Sequence, residues 1–218
     1  MNDLLLPLFP LEVVLLPEAV LPLHIFEERY KLMIGECLEA QSTGSGEQEF
    51  GVVLAKDHEM HTVGCTARII NVTRKYSDGR MDIFTVGKRR FEILYTNEEK
   101  AYLRAGVAFI NDDLESDVAQ DEEEARRAIE LFSQAIQRLR KSSELPIHFP
   151  RPYRFLSFRM AAPLPLDLEF KQAILSIRNE AERLQQVTRA VDRFISRWDR
   201  VQKARAKAGG NGDTRLQG

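Results

Sequence analysis

The sequence predicts an α+β protein in which a β-rich half is followed by a bundle of helices. Between Phe50 and Ile110, short apolar runs recur with turn residues between them, as in a small barrel or paired sheets. After the acid-rich stretch 111–124, the apolar spacing changes to threes and fours, which is helical. The opening ribbon from Leu6 to Tyr30, LPLFPLEVVLLPEAVLPLHIFEERY, is too apolar to be left in water and carries Pro7, Pro10, Pro17 and Pro22. Each proline fixes φ and removes a backbone donor, so the ribbon cannot be a helix.

Taken in order, the ribbon predicts short strands Leu11–Leu16 and Val20–Ile25, turned by Pro17-Glu18. From Phe26 the spacing turns helical, and Glu27 to Ala40 reads as an amphipathic helix with its acids outward. Gln41 to Glu49 holds no apolar residue and reads as a surface loop. Phe50 to Lys56 is a nearly all-apolar strand, covered on both faces. Thr62 to Arg74 alternates with Val63, Cys65, Ala67 and Ile69 on one face, then slips by one so that Ile70 and Val72 continue it. Such a slip marks a bulge or bend. Ser77-Asp78-Gly79 is a hairpin turn. Met81–Val86, Phe91–Tyr95 and Tyr102–Ile110 supply further strands, with Gly87 to Arg90 read as a connection.

Residues 111–124 hold eight acids, from Asp112 to Glu124, and no base. They predict a solvated linker entering a helix whose first turn favours negative charge. That helix spans Asp121 to Lys141, with Ala125, Ile129, Phe132, Ile136 and Leu139 inward. Pro146 to Pro152 is a crossover, and Pro152 opens a helix over Tyr153–Ala162. Asp167 caps the next helix, and Asn179 with Glu182 opens the last one, running to about Ala208. Its apolar line is Leu184, Val187, Val191, Phe194 or Ile195, Trp198 and Val201. The expected divisions are therefore 1–112 β-rich, 113–208 helical, and 209–218 a glycine-rich disordered tail.

Composition excludes several functions. A net charge of −2 removes the overall electrostatic case for nucleic acid. The acidic Met1-Asn2-Asp3 and the interrupting prolines argue against a signal peptide, and no run approaches a spanning helix. Cys37 and Cys65 form no C-x-x-C pair and read as buried, reduced thiols. The expected compartment is the cytoplasm. Gly87-Lys88 is the only Gly-Lys pair. Arg89 follows it and Asp82 stands where a phosphate loop needs glycine, so no nucleotide site of that kind is expected. His58-Glu59-Met60-His61 lacks the spacing of H-E-x-x-H, and neither metal nor cofactor is expected. His24 reads as a hydrogen-bonded structural histidine, and Glu27 with Arg29 as a local ion pair. Arg197, Arg200, Lys203, Arg205 and Lys207 read as a solvated, dipole-matched helix end.

PLFPL, LPLHIF-E-x-R-Y and the residues that follow resemble the amino-terminal substrate-recognition domain of Lon-type ATP-dependent proteases. Leu156 to Ala162, Leu164 to Asp167, Lys171 to Leu175 and Glu180 to Leu184 resemble its helical subdomain, so the resemblance runs from Leu4 to Arg200. Glu28 departs from it, where a proline is commoner. The resemblance implies a PUA-like β pseudo-barrel followed by a C-terminal α-helical bundle. It also implies a non-catalytic module that binds unfolded or damaged polypeptide, with association to a Lon protease or to itself as further partners. The alternative is an RNA-binding PUA-like protein, against which stand the net charge and the absence of an aromatic–basic stripe. A small-ligand pocket, as in the eukaryotic ligase receptor sharing this domain, would need paired cysteines that this sequence does not hold. Ten apolar residues crowd into positions 4–16, and one sheet face hides only every second side chain. The candidate polypeptide-binding residues are therefore Leu16, Val14, Phe149, Tyr153 and Phe155, the last three, from the helical half, being also the residues that could instead cover the ribbon.

Overall fold

The computed structural model describes residues 5–46, 48–112, 122–140, 149, 151 and 153–210. Six strands come first: β1 (Leu6–Leu11), β2 (Val20–Ile25), β3 (Glu49–Lys56), β4 (Glu59–Lys75), β5 (Met81–Asn97) and β6 (Arg104–Ile110). Helix α1 (Glu28–Thr43) lies between β2 and β3. Helices α2 (Glu122–Arg140), α3 (Leu156–Ala161), α4 (Leu168–Ser176) and α5 (Glu180–Gly210) follow. The strand order is β2-β5-β4-β3-β1-β6, and β5 also pairs with β6. Five strands thus close a ring, while β2 adds only to the first half of β5, from Met81 to Val86. This is the expected mixed fold, a pseudo-barrel followed by helices.

The first strand is Leu6–Leu11 rather than Leu11–Leu16. Its prolines lose no ladder bond. Leu8 N–H donates to Leu103 O at 2.8 Å, so by alternation Pro10 faces the β6 side, beyond the β6 pairing that ends at Pro7. Pro7 faces the β3 side, ahead of the first partnered residue, Leu8. Pro17-Glu18 does form the turn: Ala19 N–H donates to Leu16 O at 3.1 Å, and Glu18 takes φ 65°, a type II geometry with proline at its favoured position.

β5 is one strand of 17 residues, not two. Gly87 keeps it continuous, because a side chain there would lie 2.2 Å from Leu16 O. The expected bulge in β4 is present, with register shifts at Cys65/Ala67, Ile69/Asn71 and Val72/Arg74. Its effect on Ile70 differs from expectation: Ile70 and Asn71 both turn outward while Ile69 stays buried. Gly79 closes the hairpin at φ 82°.

Helix α4 is capped by Asp167 Oδ1, which accepts from Glu169 N at 2.9 Å, and Asn179 Oδ1 accepts from Glu182 N at 3.0 Å. Ala125, Phe132 and Ile136 are buried as read from spacing, as are Ala128 and Ala135. On α5, Leu184, Val187, Val191 and Ile195 are buried, Phe194 and Trp198 half-buried, and Val201 exposed. The helix continues through Gly210, two residues into the segment expected to be a disordered tail; residues 211–218, and most of the linker and crossover expectations at 113–121 and 141–148, lie outside the described residues.

Asp112, read as part of a solvated linker, is instead buried between two arginines. It accepts from Arg183 at 2.8 and 2.6 Å and from Arg90 Nη2. Arg183 also donates to Glu180 Oε2 at 2.6 Å and to Ser157 Oγ at 3.2 Å. Arg90 donates to the carbonyls of Leu175 and Ile177 at 2.8 and 2.6 Å. Burial lowers the Arg90 pKa and raises that of the Glu180 carboxyl, the latter against the opposing pull of Arg183 and Ser157. Two cations and two carboxylates tie β5 to α3, α4 and α5 (Arg90, Arg183, Asp112, Glu180).

Candidate polypeptide-binding surface

Register places three rows across the outer face of β2, β5 and β4. Val20, Val86 and Arg68 form one, and Pro22, Phe84 and Asn71 the next, with Ile70 beside them at the bulge. His24, Asp82 and Arg74 form the third. Side chains alternate across a strand, and here Val20 is 57% exposed, Ile70 55% and Phe84 38%, with Pro22 also exposed. Phe26, 59% exposed, follows β2 and stacks on His24 with ring centroids 6.0 Å apart. The face is an apolar centre with a polar border, the kind of surface that marks an interaction site.

The border is ordered by Asp82. His24 Nδ1 lies 2.5 Å from Asp82 Oδ1, and Tyr76 Oη donates to Asp82 Oδ2 at 2.8 Å. The His24 hydrogen bond first, then that of Tyr76, holds the Asp82 carboxyl below the usual carboxylate range. Arg74 and Arg80 lie over the Tyr76 ring at 4.5 and 4.9 Å. His24 is thus hydrogen-bonded as expected, but at the rim of an exposed face. Arg29 pairs with Glu27 at 2.8 Å, a local ion pair.

The residues singled out from sequence divide in two. Leu16 and Phe149 are buried, at 1% and 7% exposure, so neither is an open contact. Leu16 is held inside because its carbonyl abuts Gly87 and its side chain joins the core with Ile25 and Ile83. Val14, Tyr153 and Phe155 are half-buried at the margin of that core. The face on β2, β5 and β4 went unread, although Pro22 within an alternating strand was the available sign of an edge.

A separate cavity of about 610 Å³ lies between α1 and the start of β6, floored by Leu5, Pro7 and Cys37. Within its lining Glu36 accepts from Lys100 at 2.5 Å and from Tyr102 Oη, and Arg104 pairs with Glu99 at 3.0 Å, while Arg104 Nε finds no partner among the described residues. Among the described residues, no cluster of histidine, cysteine and carboxylate side chains could hold a metal, and no helix is long and apolar enough to cross a membrane.

Residues 5–193 match the family model of the ATP-dependent protease La (LON) substrate-binding domain. The chain belongs to this family. The Lon protease of Flavobacterium johnsoniae is 26% identical over 193 residues, covering 82% of this chain and 22% of that protein. The Lon protease of Wolbachia pipientis subsp. Culex pipiens is 28% identical over 211 residues, covering 89% and 25%. The chain thus spans about a quarter of the length of these curated relatives. A Lon N-terminal domain protein from Xanthomonas campestris superimposes with TM-score 0.63 at 26% identity, covering 84% of this chain and 96% of that one. The N-terminal domain of a Mycobacterium avium complex Lon protease, with TM-score 0.61 and 16% identity, covers 86% and 98% and shares the fold. The pseudo-barrel and helices described above are therefore those of a Lon substrate-binding domain.

Proposed function

We propose that this Lon substrate-binding domain holds unfolded or damaged polypeptide without catalysing a reaction on it. The observation that carries the reading is the exposed apolar centre of Val20, Pro22, Phe84 and Ile70, bordered by His24, Asp82 and Arg68. An unfolded chain offers no fixed shape, so its receptor presents apolar area beside adaptable polar groups. Val14, Tyr153 and Phe155, half-buried at the margin of the core, are further candidate contacts. Hydrolysis belongs to other parts of a Lon machine, in the cytoplasm, and a Lon protease or a second copy is the further partner.

The test is a double variant, Val20→Lys with Phe84→Lys, compared with Leu94→Lys, an exposed apolar position on the β6-paired half of β5. Wild type and the Leu94 variant should delay aggregation of a chemically denatured client, and the folded double variant should not. A folded double variant that protects the client as well as wild type would overturn the reading.

A further inference from the structure

The free edge of β2 points to how a client is held. β2 pairs only with β5, so one side of it carries no strand among the described residues. Gly87 N–H donates to Ala19 O at 2.9 Å, which sets the phase of the antiparallel ladder. Leu21, Leu23 and Ile25 then direct their backbone groups to β5, while Val20, Pro22 and His24 direct theirs to the open side. Pro22 has no N–H, so its absence from the inner ladder loses nothing. The open side offers the N–H groups of Val20 and His24 and the C=O groups of Val20, Pro22 and His24.

We infer that an extended segment of client polypeptide binds by adding a strand to this edge, laying alternate side chains beside Val20 and Pro22 on the outer face. The inference rests on the polypeptide-binding reading and specifies its geometry. Strand addition takes affinity from main-chain hydrogen bonds, which every polypeptide offers, and selectivity from alternate side chains. That suits a receptor for clients with no common sequence. Pro22 also decides against a second copy as occupant. A symmetric β2–β2 pair about its centre would set Pro22 opposite Pro22 and lose both central donors, whereas a client strand loses only one. A proline within an edge strand limits such self-pairing.

The probe is a 12-residue alternating Val/Thr peptide, unstructured alone, and a series carrying one backbone N-methyl group at each position in turn. With wild-type protein, N-methylation should weaken binding by about three- to tenfold at alternate positions of the segment lying along the edge, one lost hydrogen bond each, and little between or beyond them. Val20→Pro removes an N–H that bonds nothing within the strand pair, and should weaken the unmodified peptide by a similar factor. Uniform tolerance of N-methylation, with binding still lost in the Val20→Lys/Phe84→Lys variant, overturns strand addition and leaves the polypeptide-binding reading standing. No binding of peptide or denatured client by wild type overturns both. A concentration-dependent dimer in sedimentation equilibrium that Val20→Pro abolishes overturns the choice of occupant. If Val20→Pro does not fold, the N-methyl series on wild type decides alone.

Discussion

Among the described residues, Arg183 is the largest side chain removed wholly from water, at 0% exposure. It is tolerated because Asp112, Glu180, Ser157 and the Ile177 carbonyl take up its donors, and because its guanidinium lies 4.3 Å over the Phe158 ring. Replacing both partners of a buried ion pair can be neutral, but removing one strands the other. Arg183→Met should therefore cost about 3–5 kcal/mol in urea unfolding at neutral pH, and a loss below about 1 kcal/mol would show the cluster to be incidental. At the surface, the Asp82 carboxyl is held low by His24 first and Tyr76 second. The sign follows: a depressed folded pKa stabilises above the unfolded carboxylate value, and that stabilisation is lost as pH falls through the folded one. In His24→Ala, the Asp82 carboxyl should titrate at higher pH by NMR, and an unmoved midpoint would deny His24 its leading part.

Elements were legible wherever a local signal controlled them. Strand β2 runs from Val20 to Ile25 as its alternation required, the β4 bulge sits at the phase slip, and Asp167 and Asn179 accept from the first turns they cap. What stayed hidden depends on partners distant in sequence. Arg183 and Asp112 are 71 residues apart, so no window over the acidic stretch singles out Asp112 as buried. β1 was misplaced because prolines count against a strand unless their missing donors are known to face open positions. Gly87 looked like a loop residue, yet it sits mid-strand where Leu16 O presses on it. Gly87→Ala should lower stability by about 1–3 kcal/mol through overpacking, read as a shift in the unfolding midpoint. An unchanged midpoint would mean that the Leu16–Ala19 turn moves aside freely.

For the molecule as a whole, the family was legible from the proline-broken opening and the helical segments together, and the comparisons place residues 5–193 within it. The proposed binding face was less legible, because it is made by register across β2, β5 and β4 and not by any one run of sequence. Sequence surplus pointed to Leu16, which the turn at Pro17 takes inside. Exposed apolar side chains instead include Val20, Phe26, Ile70 and Phe84, where β2 ends the sheet. The central claim is that this face, and not the cavity beside α1, meets unfolded polypeptide. Methyl NMR of the protein titrated with a permanently unfolded client tests it most directly. The account predicts that Val20 and Ile70 methyl resonances shift or broaden, while those of Leu5, Leu94, Ala40 and Val201 stay unmoved. Shifts at Leu5 and Ala40 with Val20 and Ile70 unchanged would contradict it.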